Sequence, residues 1–338
     1  MNLSNVTVLI PAHNRPERLR RLLAYYGRTN IEILVADSST LEFPFLEDFP
    51  SITYRHQPGM EFLRKINEVL PLIHTPYVFF CADDDFIVPE TVNKITGFME
   101  THPDYCTAQG HYLTFEVHQK DIEFYPRYIR NFTKEMDGGT GKERLNQYNN
   151  LYASMLYSVC RSGLFKEMYS AVMDVAGNPR FTNLYAAEEY YNMYTLIHGK
   201  HTTLPEFYSA RERIKGSAAS ITVPFDTFIT ATRYKDEYNA FVEILANKLS
   251  VTDKIPLDNA RVFILSMMEK RMAGKLSFKQ RVSTFVDKYA ATQWISSLLY
   301  ERYKSKGRKL VREREDSYPI RKDTPEKLAI IESIRNMK

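Results

Sequence analysis

The sequence predicts a mixed α/β fold: a mostly parallel sheet with flanking helices, followed by a C-terminal helical appendage. Three observations carry this. Short apolar, β-branched runs alternate with helix-spaced segments over the first hundred residues. Polar and acidic clusters fall where those runs end. After about residue 225 glycine nearly vanishes and apolar residues take up helical spacing. The expected division is therefore an α/β domain over residues 1–225 and a helical domain over 226–338.

Val6–Ile10 is a buried strand that ends at Pro11 and opens into Ala12-His13-Asn14-Arg15-Pro16. Leu19, Leu22, Leu23 and Tyr26 then repeat at helical spacing, and Gly27 closes the helix. Ile31–Ala36 is a second buried strand, ending at Asp37-Ser38-Ser39. Strand, helix and strand within so short a span form a βαβ unit, whose crossover makes the pair parallel. Ser51–Arg55 reads as a third strand and residues 60–73 as a helix. Tyr77–Cys81 is a fourth strand running into Asp83-Asp84-Asp85, and Pro89 opens the next helix from a first-turn position. Residues 105–135 alternate like strands or a hairpin. Asp137–Gly141 reads as a flexible turn or mobile loop. Residues 142–200 read as helical, broken at Gly177-Asn178-Pro179, and Thr202–Ser220 as strand and loop. In open α/β sheets ligands sit at the carboxyl ends of strands, and three polar clusters fall there: His13-Asn14-Arg15, Asp37-Ser38-Ser39 and the acidic triplet.

Composition narrows the class. A chain of 338 residues, 44% hydrophobic and 25% charged, suits one sizeable α/β domain plus a smaller unit. A net charge of +4 is too modest to imply nucleic acid. Cys81, Cys106 and Cys160 are odd in number and widely spaced, which reads as buried thiols and not as a disulfide frame or a zinc site. The first residues lack the basic region of a signal peptide, and no apolar run reaches the roughly 18 residues of a spanning helix. The expectation is a cytoplasmic protein, at most peripheral at the inner face of a membrane.

The triplet is the strongest chemical signal. Asp83 and Asp85, one residue apart at a strand end, suit a hard divalent cation that prefers oxygen ligands, Mn2+ or Mg2+. Asp84 would turn toward a sugar or a basic partner. The competing reading is a loop whose acids cap the next helix. Asp37 has the chemistry to accept from ribose hydroxyls or base N–H groups, and competes with an Asx-turn to Ser39. Arg15 suits phosphate. Neither GxGxxG nor a P-loop motif is present.

Taken together these residues resemble the GT-A glycosyltransferases of the family 2 type. The likeness rests on the strand-loop Val8–Arg15, a second strand ending in Asp37 and Ser38, and a DXD-like Ala82-Asp83-Asp84-Asp85-Phe86, and spans about residues 5–220. It implies nucleotide contacts from Pro11, His13, Asn14, Arg15, Asp37 and Ser38, and metal and phosphate at Asp83, Asp84 and Asp85. It also implies a UDP-sugar donor and inversion at the anomeric carbon. The family's general base, an acid at a helix start, matches Ala187-Glu188-Glu189-Tyr190, with Glu189 at the base position and Glu188 the close second. A glutamate replaces the usual aspartate. Arg211, Arg213 and Lys215 stand where relatives stabilise the diphosphate or place a histidine ligand, and no histidine is present in that loop.

From Gln280 to Lys322 aromatic and basic residues interleave. The preferred reading packs the aromatic face on the catalytic domain or on a second subunit, giving a homo-oligomer. The alternative lays the basic face on an anionic membrane, where a lipid-linked glycan acceptor is found. Glu313, Glu315 and Asp316 interrupt the positive field. The expected function is sugar transfer from a nucleoside diphosphate sugar to a hydroxyl in surface glycan assembly. The rivals are a sugar-nucleotide-binding or assembly protein with a degenerate site, and a nucleotidyltransferase, although the latter wants a glycine-rich loop where Ala12–Pro16 has none.

Overall fold

The computed structural model describes residues 3–118, 121–128, 135–150, 154–214, 222–286 and 314–336, without the side chains of 150 and 273–286. Lys215, most of the basic loop beyond it, and the tail residues 287–313 lie outside the described residues, as does the side chain of Phe285.

The chain opens as expected. Strand β1 (Val6–Ala12) leads through a tight loop to helix α1 (Pro16–Tyr26), with proline in its first turn, and then to β2 (Glu32–Asp37). Strand β3 (Thr53–His56), helix α2 (Phe62–Val69) and β4 (Tyr77–Phe80) complete the first half. Strands β1 and β2, β1 and β4, and β2 and β3 pair in parallel. All four residues of β4 are buried, as a strand covered on both faces requires. The two-residue strand β5 (Phe86–Ile87) and helix α3 (Pro89–Thr101) follow.

The second half breaks the parallel pattern. Long strand β6 (Tyr105–Val117) and β7 (Ile122–Arg127) form the hairpin anticipated from the alternation. Helix α4 (Gly141–Asn150) precedes a short strand, β8 (Val159–Arg161), which the helical reading of 142–200 overlooked. Three residues offer too little periodicity to be seen, yet β8 joins the two halves by pairing antiparallel with both β4 and β6. Helices α5 (Ser162–Ala171) and α6 (Leu184–His198) then lead to β9 (Lys200–Glu212). The sheet order is β3-β2-β1-β4-β8-β6-β9-β5, with β7 on β6.

Helix α6 is secured at both ends. Asn183 accepts the Ala186 N–H at 2.9 Å, and the buried Arg144 of α4 donates to the carbonyls of Leu196 (2.6 Å) and Ile197 (2.8 Å). After Phe225 the chain is helical among the described residues: α7 (Phe225–Thr230), α8 (Lys235–Asp253), α9 (Leu257–Val286) and, beyond the tail, α10 (Pro325–Arg335). Helix α8 packs on α4 and α6, and α10 packs on α1. Asp253 at the end of α8 accepts the N–H groups of Gly141 (2.7 Å) and Lys142 (3.0 Å), capping α4 from the appendage. The three cysteines are free and buried, as expected. Among the described residues no helix is long and apolar enough to cross a membrane.

The β6–β9 pair brings the residues after Tyr208 to the site, and Gly110 makes it possible. The register shifts between Gln109 and His111, where β9 bulges. A Cβ at Gly110 would lie 2.6 Å from the Glu206 carbonyl and 2.7 Å from the Tyr208 Cβ. Backbone stands on one side of that contact and has little room to give. Gly110→Ala is expected to destabilise the fold by about 1–3 kcal/mol, read by urea denaturation; unchanged stability would mean that the bulge is not held closed.

Candidate active site

The site forms where the acidic triplet crosses from one half of the sheet to the other. Cys81 N–H bonds the Leu9 carbonyl at 3.1 Å, so the run before the triplet is tied to β1. After it, Phe86 pairs antiparallel with Ala210 of β9. The register then sets Asp85 against the next residues of β9. Arg211 Nε donates to Asp85 Oδ2 at 3.0 Å, and the Glu212 N–H donates to Oδ1 at 2.9 Å. An Asp85 N–H bond to the Ala82 carbonyl, 3.0 Å, closes the turn.

The other two carboxylates face the β1–α1 loop. His13 N–H donates to Asp83 Oδ2 (3.3 Å), and Arg15 Nη1 reaches Asp83 Oδ1 (3.2 Å) and Asp84 Oδ2 (2.8 Å). Asp84 thus turns to a basic partner, as anticipated. Arg21, buried in α1, donates to the Asp84 carbonyl at 3.0 Å and to Glu212 at 2.7 Å, its guanidinium lying over Phe86. Arg18 adds a fork to the same glutamate, at 2.8 and 3.1 Å. Burial works to raise the Glu212 pKa, but Arg18 and Arg21 outweigh it and hold it below the ordinary range.

All three aspartates are buried. Burial pushes the Asp83 pKa up, against Arg15 and the His13 N–H. For Asp84, burial and then the neighbouring Asp85 and Asp83 carboxylates push it up to about 7, despite Arg15 and Arg211. Burial therefore disfavours the charge on both carboxylates more than Arg15 and the other cations offset it. That donor set of buried hard oxygens fits a divalent cation.

The residues expected to contact the nucleotide gather at the same strand ends. Asn14 takes a left-handed conformation, φ 53°, which asparagine tolerates, and is stitched to the β2 loop in both directions. Its N–H donates to Ser39 Oγ at 2.7 Å, and its Oδ1 accepts the Thr40 N–H at 3.0 Å. The His13 ring contacts the Ser38 carbonyl at 3.1 Å and hydroxyl at 3.2 Å. Asp37 does form the Asx-turn with Ser39 (2.8 Å to its N–H) and accepts Tyr54 Oη at 2.8 Å as well. Pro11, inside β1, pairs with Ala36.

Arg211, whose guanidinium lies 4.6 Å from the Tyr157 ring centre, stands at the triplet, whereas Arg213 is half-exposed and paired with Glu116 at 3.0 Å. The two candidate bases separate. Glu189 is buried and accepts Arg271 through both nitrogens (2.6 and 3.0 Å) and Tyr148 Oη at 2.8 Å. Glu188 is half-buried, accepts Ser154 Oγ at 2.7 Å, and acts electrostatically on Arg211 and Tyr112. Glu188 thus faces the segment that carries Ser154 and Tyr157, and Glu189 faces the appendage.

Residues 7–168 match the family model described as Glycosyl transferase family 2. Residues 7–168 are a family 2 glycosyltransferase domain. The match covers the β1–α1 loop, Asp37 and the triplet, and the fold is of the GT-A type that the motifs led us to expect. Similar solved structures include S. aureus TarS 1-349 in complex with UDP-GlcNAc: 14% identity, TM-score 0.46, 83% of this chain and 92% of that one. The same protein in complex with UDP gives 16% identity and a TM-score of 0.49 over 100% of this chain and 92% of that one. At those values the likeness carries no argument about ligand or reaction. No curated protein matches the chain.

The residues that sequence reasoning missed in this glycosyltransferase are Glu212, Arg18, Arg21 and Lys65. Lys65, on α2, is almost wholly buried and donates to the Ala12 carbonyl and Ser38 Oγ, each at 3.0 Å. Its one legible signal is a charge on the apolar face of a helix, beside Leu63, Ile66 and Val69. Burial lowers its pKa to about 8, against the pull of Asp37, Asp83 and Glu61. Since the unfolded chain binds this proton more tightly, folding is penalised below pH 8 and the penalty is relieved as pH rises from about 8 to 10.5. The wild-type stability minus that of Lys65→Met is therefore expected to climb across that window, by on the order of 3 kcal/mol. Chemical denaturation at a series of pH values measures it, and a flat difference would contradict the buried charge.

Proposed function

We propose that this glycosyltransferase moves a sugar from a nucleoside diphosphate sugar, a UDP-sugar first among them, to a hydroxyl acceptor, with inversion and with a divalent metal. The observation that carries the proposal is the buried triplet at the end of β4, ringed by Arg15 and Arg211 inside a family 2 domain.

In this reading the ends of β1 and β2, with Pro11, His13, Asn14, Asp37 and Ser38, receive the nucleoside. One acceptor position of Asp37 remains beyond the three bonds that it already takes. Asp83 and Asp85 hold Mn2+ or Mg2+, which supplies Lewis-acid neutralisation of the diphosphate. Arg15 and Arg211, with Arg213 at the rim, stabilise the charge that develops on the leaving diphosphate. The acceptor oxygen forms a bond to the anomeric carbon as the bond to the diphosphate oxygen breaks, and a general base takes the acceptor proton. We assign that role to Glu188 in preference to Glu189. The Glu189 carboxylate is already engaged by a bidentate guanidinium and a phenol, which leaves it poorly placed to receive an acceptor hydroxyl, and it faces the appendage. A glycan or lipid-linked acceptor in surface glycan assembly, at the membrane face, is the setting this chemistry suits.

Two measurements test this. Thermal stability with a panel of nucleoside diphosphates is expected to rise for one of them only when Mn2+ is present; no shift under any metal condition would sink the donor assignment. At saturating donor, Glu188→Gln is expected to lower kcat by ~10²–10⁴-fold, with Glu189→Gln costing less. The reverse ranking would return the base to Glu189.

A further inference from the structure

Arg271 is the point at which the helical appendage touches the chemistry. It lies on α9, outside the family-matched residues, yet its side chain is largely buried against Glu189 of α6. Both terminal nitrogens bond the carboxylate, and the guanidinium stands 5.0 Å from the Tyr148 ring centre. A bidentate pair of this kind fixes orientation as well as charge.

The pair continues into a chain of hydrogen bonds. Tyr148 Oη donates to Glu189 and accepts Asn192 Nδ2 at 2.9 Å. Asn192, wholly buried, accepts the Met155 N–H at 3.2 Å through its other side-chain atom. Met155 sits in the short segment before β8 that also carries Ser154 and Tyr157. Ser154 bonds Glu188, and Tyr157 stacks under Arg211. The backbone of the segment that holds the proposed base and the triplet's arginine is therefore anchored through Asn192 and Tyr148 to Glu189 and Arg271.

We infer that Arg271 is a positioning residue for the transfer reaction: the appendage delivers it to lock Glu189, and through Tyr148 and Asn192 it sets the 154–157 segment against Glu188 and Arg211. The inference rests on the proposed role of Glu188. It makes turnover depend on the docking of a helix that lies outside the family-matched residues. Asp253, across the same seam, caps the opposite end of α4 from Tyr148 through the Gly141 and Lys142 N–H groups, and so fastens the appendage without bonding Glu189, Tyr148 or Asn192.

The experiment compares Arg271→Ala, Arg271→Lys, Glu189→Gln, the double variant R271A/E189Q and Asp253→Ala in the full chain. Arg271→Ala is expected to lower kcat by ~10–100-fold, the scale of a small misplacement at a reacting centre, with donor KM nearly unchanged. Arg271→Lys should recover part of the loss, and R271A/E189Q should be no slower than Arg271→Ala alone. Asp253→Ala should lower the melting temperature without that kcat loss. Wild-type kcat in Arg271→Ala, or an equal kcat loss in Asp253→Ala, would overturn the inference by making the contact a mere fastener. If the wild type turns over no donor, the glycosyltransferase assignment of the site fails instead. The same variants still test the lock, because melting without donor must then show Arg271→Ala and Glu189→Gln to be non-additive, and additive losses would refute it.

Discussion

The structure depends on how four buried carboxylates are paid their counter-charge at one crossing point of the sheet. Asp83, Asp84 and Asp85 leave β4, and Glu212 arrives on β9, all of them buried. Unpaired, such charges would be strongly destabilising. Arg15, Arg18 and Arg21 come from the β1–α1 loop and from α1, and Arg211 comes from β9 itself. The β5–β9 register is therefore more than a structural detail. Pairing Phe86 with Ala210 is what puts Arg211 and Glu212 beside Asp85. Breaking one member of such a set costs more than its bonds, because it leaves a partner charged and buried.

The same constraint bears on the proposed metal–diphosphate unit. Arginines pair the protein's own acids closely enough to fold, yet burial still raises the pKa values of Asp83 and Asp84. A divalent cation arriving with a diphosphate would add positive charge at the acids and let the arginines address the anion. In the proposed reading, donor and metal each improve the site for the other.

How much of this was legible in the sequence follows from distance along the chain. The strands β1, β2 and β4 were readable because strands buried on both faces must be continuous apolar runs, and the polar clusters could be placed at their ends for the same reason. The GT-A class followed from order and spacing. Glu212, Arg18 and Arg21 were not readable as site residues, since an arginine on an amphipathic helix looks the same whether it meets water or a glutamate 191 residues away. Strand β8 is too short to show a period. The proposed preference for Glu188 over Glu189 was beyond spacing, because it turns on Arg271, which lies 82 residues beyond Glu189, in a helix that no motif touches. Local pattern reports which residues are available at a strand end, whereas the partner that decides each one's role is set by tertiary pairing.

The most direct test of the account is a titration of free Mn2+ by electron paramagnetic resonance, with and without UDP. If the triplet accepts metal and diphosphate as one unit, Mn2+ binds weakly to the protein alone and at least about tenfold more tightly with UDP present, the size of an ordinary coupling free energy. Substitution of Asp85 by asparagine should remove the enhancement. Mn2+ affinity that is the same with and without UDP would contradict the account.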